Sequence, residues 1–349
     1  MIKALTGAKV LDNFRFDGAF RIAVDGVCFA SFDRPHCEHC LRRTKDGKTT
    51  YFHYALVAML VAPCGLVLPM EVEFIENTDE HGKPRSCDDE FKKQDCELKA
   101  FYRLAASLKE HYPRLPICLL LDGLYCNQNV LSICEKNQWD YFITLQDNSV
   151  PAIQKKIQAD LNAHQGNRLH RQNKEAAQDY SWTNPIPHAF WNNWKKGDKH
   201  YMFAISCLET RNKITSKFVY LCNSKPDKNN IEQLINEGGR QRWKIENQGF
   251  NTLKNHGMEL EHGFGITGNC MQNYFLLRLT ALIIEQLMLH SNMFRKLQAV
   301  NSHHDIIQKP VIAFFRSMRS MAIQLLASLR MQLIVLPDIS AWRVSMNST

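Results

Sequence analysis

No apolar run in this sequence is long enough to cross a bilayer. The longest nearly uncharged stretch, Tyr51 to Met70, is broken by Pro63-Cys64-Gly65 and reads as two strands joined by a turn. The N-terminal stretch, MIKALTGAKVLDNFRFDG, has no apolar leader. Twelve cysteines in 349 residues are too few for a disulfide scaffold. Most lie in apolar runs, as Cys118, Cys126, Cys207 and Cys222 do, which marks them as buried thiols of a reducing compartment. Internal repeats and low-complexity tracts are also missing. A hydrophobic content of 45% with 22% charged residues excludes disorder and collagen-like structure for the whole chain. These absences leave a soluble cytoplasmic protein with no membrane partner. Its length suits two domains, or one large domain with an insertion, at roughly 150 residues each. Acidic excess is lacking too: 43 Lys and Arg face 35 Asp and Glu, and the net charge of +8 mildly favours an anionic partner.

What is present is a strand-rich first half. Phe20–Phe32 is apolar and β-branched with one acid, Asp25, inside it. Residues 33–50 are polar and hold a His/Cys cluster, and strands follow near 51–62 and 65–75. An acidic loop spans about 76–90. Apolar residues at three- and four-residue spacing (Phe91, Leu98, Phe101, Leu104, Leu108) predict a helix over 88–111, stopped by Pro113 and Pro116. Ile117–Leu121 reads as a buried strand ending at Asp122-Gly123, residues 127–137 as a helix, and Tyr141–Leu145 as another buried strand. The order implies a mixed α/β sheet with an antiparallel start and a parallel continuation. Residues 151–175 are expected to be helical. Over 178–223 strand-like runs and Trp182, Trp191 and Trp194 suggest a β-rich insertion. Helices are expected to about 256, over 269–290, and over 311–334 in a basic tail.

Three acids could carry chemistry. Asp25 and Asp122 each sit in or at the end of an apolar strand before a glycine, where a charged carboxylate needs partners. A strand-end acid capping a turn is the plain alternative. Two such acids on core strands of one sheet make a natural divalent-cation site, because hard cations take oxygen ligands. Glu246 lies one helical turn after Arg242, so the two share a face, flanked by Trp243, Phe250 and Leu253. That spacing holds the carboxylate against the protein body, or makes an ordinary salt bridge. Separately, His36-Cys37-x-x-Cys40, with His53 in the next strand, offers zinc-type ligands, and Cys87 or Cys96 could complete the set. With no second cysteine pair, free thiols are the competing reading.

The segment RQRWKIENQGFNTLK (240–254) resembles the region around the third acid of DDE transposases of bacterial insertion sequences, the cut-and-paste group with an R-x-x-x-E core. LLLDGLY (119–125) resembles the region around their second acid, and AVDGVCFASF (23–32) the first. HCEHC (36–40), YFHYAL (51–56), LPMEVEFIEN (68–77) and KQDCE (93–97) are similar to one branch of the group, so the likeness spans roughly 20–290. It implies an RNase H-like mixed sheet flanked by helices. Residues 1–150 would begin the catalytic core, 151–225 form a β-rich insertion, 226–290 complete the core with the Glu246 helix, and 291–349 form a helical C-terminal region. It further implies Mg²⁺ or Mn²⁺ held by Asp25, Asp122 and Glu246, with Arg242 on phosphate. The reaction would be metal-dependent cleavage and strand transfer on transposon-end and target DNA by a homodimer, at the nucleoid.

Trp194, Lys195, Lys196 and Lys254 would contact DNA, an aromatic among lysines being suited to stacking on an unpaired base; a β-rich core is the alternative role for the tryptophans. The family's tyrosine three residues before the arginine and lysine seven after the glutamate are Gly239 and Leu253 here, with Lys254 displaced by one. The first acid also lies close to Met1, leaving no room for the usual N-terminal end-binding domain. A truncated, inactive DNA-binding derivative is therefore the second expectation.

Overall fold

The computed structural model describes residues 1–37, 40–76, 95–145, 151–163, 166–172, 176–187, 201–256, 258–261, 263, 265 and 269–291. A short helix, α1 (Ile2–Gly7), precedes the long strand β1 (Phe20–Phe32). β2 (Leu41–Lys45) and β3 (Lys48–Val61) form a hairpin over Asp46 and Gly47, whose φ values of 51° and 75° suit a tight two-residue turn. β4 (Val67–Ile75) returns beside β3. β3 thus carries β1 along one edge, while β2 and β4 share the other. α2 (Glu97–His111) leads to β5 (Ile117–Leu121), which runs parallel to β1. α3 (Gln128–Asn137) leads in turn to β6 (Asp140–Thr144), parallel to β5.

After α4 (Pro151–Ala163) the chain builds β7 (Arg168–Gln172), β8 (Ala177–Trp182), β9 (Ile186–Pro187), β10 (Tyr201–Arg211) and β11 (Ile214–Cys222). β11 pairs antiparallel with β6, so these strands extend the same sheet. The strand order is β2-β3-β1-β5-β6-β11-β10-β8-β7, with β4 on β3 and β9 on β10. The architecture is mixed α/β: one large, mostly antiparallel sheet flanked by helices.

Strand alternation divides the core in two. Ile22, Val24, Leu119, Leu121 and Ile143 pack with Phe101, Leu104 and Leu108 of α2 and Val130 and Leu131 of α3. Ala23, Leu120, Phe142 and Tyr220 face the other way, toward Ile235, Ile245 and Leu253 of the helical segment 231–255 and Phe275 of α7 (Cys270–Leu289). Each fully buried Leu or Ile contributes roughly 1.5–3 kcal/mol relative to exposure.

Segment 231–255 is one helical path broken by changes of pitch. It runs from α5 (Ile231–Gln233) through a π turn (Leu234–Gly238), a 3₁₀ turn (Gly239–Trp243) and a second π turn (Ile245–Phe250) to α6 (Asn251–Asn255). Gly238 has φ −93° and ψ −97°, outside the helical region, so the path bends there. Both glycines permit close approach to the sheet. A Cβ at Gly238 would lie 2.8 Å from the Phe142 ring, and one at Gly239 would lie 2.7 Å from the Tyr220 ring.

Three expectations change. The charged stretch Leu41–Lys45 is a strand, which the polar reading of 33–50 did not foresee. Helix was expected over 151–175, yet α4 stops at Ala163 and Arg168–Gln172 is an edge strand. α2 begins at Glu97, with Asp95 and Cys96 non-helical, and the rest of the 88–111 expectation lies outside the described residues. The tail helix over 311–334 also lies outside them. Among the described residues no helix is long and apolar enough to cross a membrane.

Candidate functional site

Asp25 sits mid-strand in β1, opposite Val57 of β3. It belongs to the face that segment 231–255 covers. Arg242 reaches it from that segment: Nη1 donates to Asp25 Oδ2 at 3.2 Å, while Nη2 donates to Glu246 Oε1 at 2.9 Å. A strand acid and a helix acid more than 200 residues apart in sequence therefore meet on one guanidinium. The Gly238-Gly239 bend and the close packing it permits set that meeting. Gly249, where a Cβ would lie 2.8 Å from Met59 Sδ, seats the next turn against β3.

Burial raises the Asp25 carboxyl from near 3.8 to about 7, and its hydrogen bond with Glu246 adds to the rise. The charge of Arg242 and the Gly26 amide, which donates to Oδ1 at 2.9 Å, oppose it. Burial and the neighbouring acid outweigh the one guanidinium, and a divalent cation would add the positive charge that favours the ionised form. Glu246 is more open than its spacing suggested: its side chain is 50% exposed, and Trp243 projects outward at 51%. Phe250 and Leu253 are buried as expected.

Asp122 follows β5 directly. Ala23 pairs with Leu120, so continuing the parallel register sets Asp122 level with Asp25 on the neighbouring strand. Its Oδ1 accepts from Leu124 N at 2.9 Å and caps the 3₁₀ turn Gly123–Tyr125, the plain role that its Asp-Gly context allowed. The three acids do not gather as tightly as one ion requires. Among the described residues, the His/Cys/Asp/Glu group whose ligand atoms all lie within 4.8 Å of one another is Cys37, Cys40 and His53.

A fourth carboxylate stands nearby. Glu97, in the first turn of α2, accepts from Tyr54 Oη at 2.5 Å, and a Cβ at Gly26 would overlap both groups. Burial, then the charges of Glu97, Asp122 and Asp25, push the Tyr125 phenol up. Sequence spacing did not single out Glu97 or Tyr54. Both lie in stretches that carried the family likeness, but only the packing of α2 brings Glu97 to Tyr54 beside Gly26, the neighbour of Asp25.

Lys254 pairs with Glu261 at 3.0 Å. Trp194, Lys195 and Lys196, expected to contact DNA, lie outside the described residues, as does Trp191, while Trp182 is buried in β8.

The cysteine cluster lies further along β3. Cys37 Sγ is 3.3 Å and Cys40 Sγ 3.5 Å from His53 Nε2. Cys40 and His53 are buried, and neither cysteine is in a disulfide. The hydrogen bond from Cys37 pulls the Cys40 thiol down to about 3, against its burial and with help from His53. This group could bind a metal such as zinc. Cys96 is not part of it, and Cys87 lies outside the described residues.

No protein-family model matches the chain, and a search of curated proteins finds no match.

Proposed function

We propose that the chain is a DDE transposase built on an RNase H-like core, which cleaves DNA at insertion-sequence ends and joins them to target DNA. The observation that carries this reading is the convergence of Asp25 and Glu246 on Arg242, with Asp122 directly after the neighbouring parallel strand. The order β4-β3-β1-β5-β6, antiparallel on one side of β1 and parallel on the other, supports the fold. Tyr220 bears on the departure at Gly239: its ring occupies the space that a side chain at 239 would enter.

The residues fit a hard divalent cation. They offer carboxylate oxygens, and burial raises the Asp25 carboxyl, although the three acids stand further apart here than the ligands of one ion do. Asp25, Asp122 and Glu246 would hold it. When bound, Mg²⁺ or Mn²⁺ supplies an activated oxygen nucleophile and charge stabilisation for an in-line displacement at phosphorus. Asp25 must release its proton to serve as a ligand, and Arg242 must leave the two carboxylates. The freed guanidinium can then take a non-bridging phosphate oxygen in two parallel hydrogen bonds. Leu124 N holds Asp122 in orientation. The net charge of +8 favours the polyanion. Joining two element ends calls for two copies of the chain on the DNA.

The test is strand nicking in Mg²⁺ by wild type and Glu246→Gln, on DNA carrying the sequences that flank the gene. Loss of a metal ligand predicts at least a ~100-fold drop, with salt-sensitive DNA binding unchanged. Equal nicking by both proteins would sink the assignment. Binding without nicking by either would instead favour an inactive derivative that still grips DNA.

A further inference from the structure

The cysteine cluster is remote from the acids. His53 is four residues along β3 from Val57, the partner of Asp25, or about 13 Å at strand rise. Three features make it a built site. First, the β1–β3 register shifts between Cys28 and Ala30, so that Phe29 is the extra residue of a bulge. The Phe29 ring packs 5.6 Å from the His53 ring and stacks on Phe275 of α7 at 4.6 Å, walling the imidazole with apolar groups. Second, both sulfurs meet the same nitrogen of His53, as three ligands around one ion do once the ion spreads them. Third, His36 stands alongside. Its ring stacks on Phe32 at 4.1 Å and lies 6.4 Å from the His53 ring, perpendicular to it. His36 Nε2 bonds to Gly265 O at 2.6 Å.

We propose that Cys37, Cys40 and His53 bind one structural zinc ion, with His36 as the fourth ligand through Nδ1. Two thiolates and two imidazoles are the ligand set of tetrahedral zinc, and among the described residues no carboxylate joins the group to favour a hard cation. The two thiolate charges cancel the ion's, which lets the centre stay buried. A ligating histidine generally donates its other ring N–H to a carbonyl or carboxylate, and His36 has that partner in Gly265. The ion would clip the turn between β1 and β2 to β3. Through Gly265 it would also tie that turn to the chain leading from the Glu246 helix to α7, where a Cβ at Gly263 would lie 3.1 Å from the Phe32 ring. The site is independent of the proposed cleavage reaction.

The test uses the full chain, purified with reductant and without an affinity tag that binds metals. Elemental analysis should find about one zinc per chain. Cobalt exchanged into the site should show the absorption of a tetrahedral ion with thiolate ligands, and His36→Ala should alter that spectrum and weaken zinc at least ~10-fold. Because Cys40→Ser can fail to fold, the wild-type chain is also stripped with a chelator: melting should fall and recover on adding zinc, but not magnesium. A metal-free chain that melts unchanged with chelator, or a Cys37–Cys40 disulfide in its place, overturns the proposal. An unaltered cobalt spectrum in His36→Ala overturns the fourth ligand.

Discussion

Asp25→Asn removes the carboxyl that the site burdens most. In the folded chain its pKa is raised from near 3.8 to about 7, burial being the main cause. For an acid whose folded pKa is raised, the folded state holds the proton more tightly than the unfolded chain. This favours folding below about pH 4 and is lost progressively as pH rises to about 7. The full span has a ceiling of about 4 kcal/mol. The pull of Arg242 at 3.2 Å is already contained in that span, and with adjustment of the surrounding groups the net gain above neutrality should be nearer 1–3 kcal/mol. At ~2 °C per kcal/mol for a chain this long, the variant should melt a few degrees above wild type at pH 8. Near pH 4 the two should melt alike. Added Mg²⁺ should narrow the gap by stabilising only the wild type. The assay is thermal melting of both proteins from pH 4 to 9, with and without Mg²⁺. A difference that does not vary with pH, or a variant that melts below wild type at pH 8, would refute the reasoning and make Asp25 a simple partner of Arg242.

Arg242→Gln should leave the two carboxylates unneutralised and cost about 1–3 kcal/mol at pH 8, less than a fully buried pair because Glu246 is half exposed. Part of that loss should return with Mg²⁺, while nicking falls; unchanged melting without metal would contradict the geometry. Gly239→Ala places a methyl 2.7 Å from the Tyr220 ring, so the helix must lift from the sheet at about 1–3 kcal/mol. Nicking should fall further than the fraction folded, because both Arg242 and Glu246 ride on that helix. Loss of stability with full activity would show that the close approach does not set the site.

The strands that the sequence made plain are those buried on both faces. Phe20–Phe32 and Ile117–Leu121 have the bounds expected from their continuous apolar runs. β2 and β7 were missed because LRRTK and RLHRQ are charged and largely exposed. Asp46-Gly47 did announce the β2–β3 turn, but the charge around it pointed to a loop. Residues 226–256 read as helical, and 231–255 are, yet only packing against Phe142 and Tyr220 reveals the bend at Gly238. Trp243 faces outward while its neighbour Arg242 turns inward. Periodicity paired Arg242 with Glu246 correctly and could not say that Asp25 would share the guanidinium. The C-x-x-C spacing marked Cys37 and Cys40. Their approach to His53 depends on strand register, which local sequence does not encode.

Exchanging the metal preference of the site tests the account most directly. Asp25→Cys replaces a hard oxygen ligand with a softer sulfur, which disfavours Mg²⁺ and tolerates Mn²⁺. This variant should fail to nick DNA in Mg²⁺ and recover a measurable part of wild-type nicking in Mn²⁺. Full nicking in Mg²⁺, or an equal loss in both metals by a folded variant that still binds DNA, would contradict the placement of a catalytic cation on Asp25.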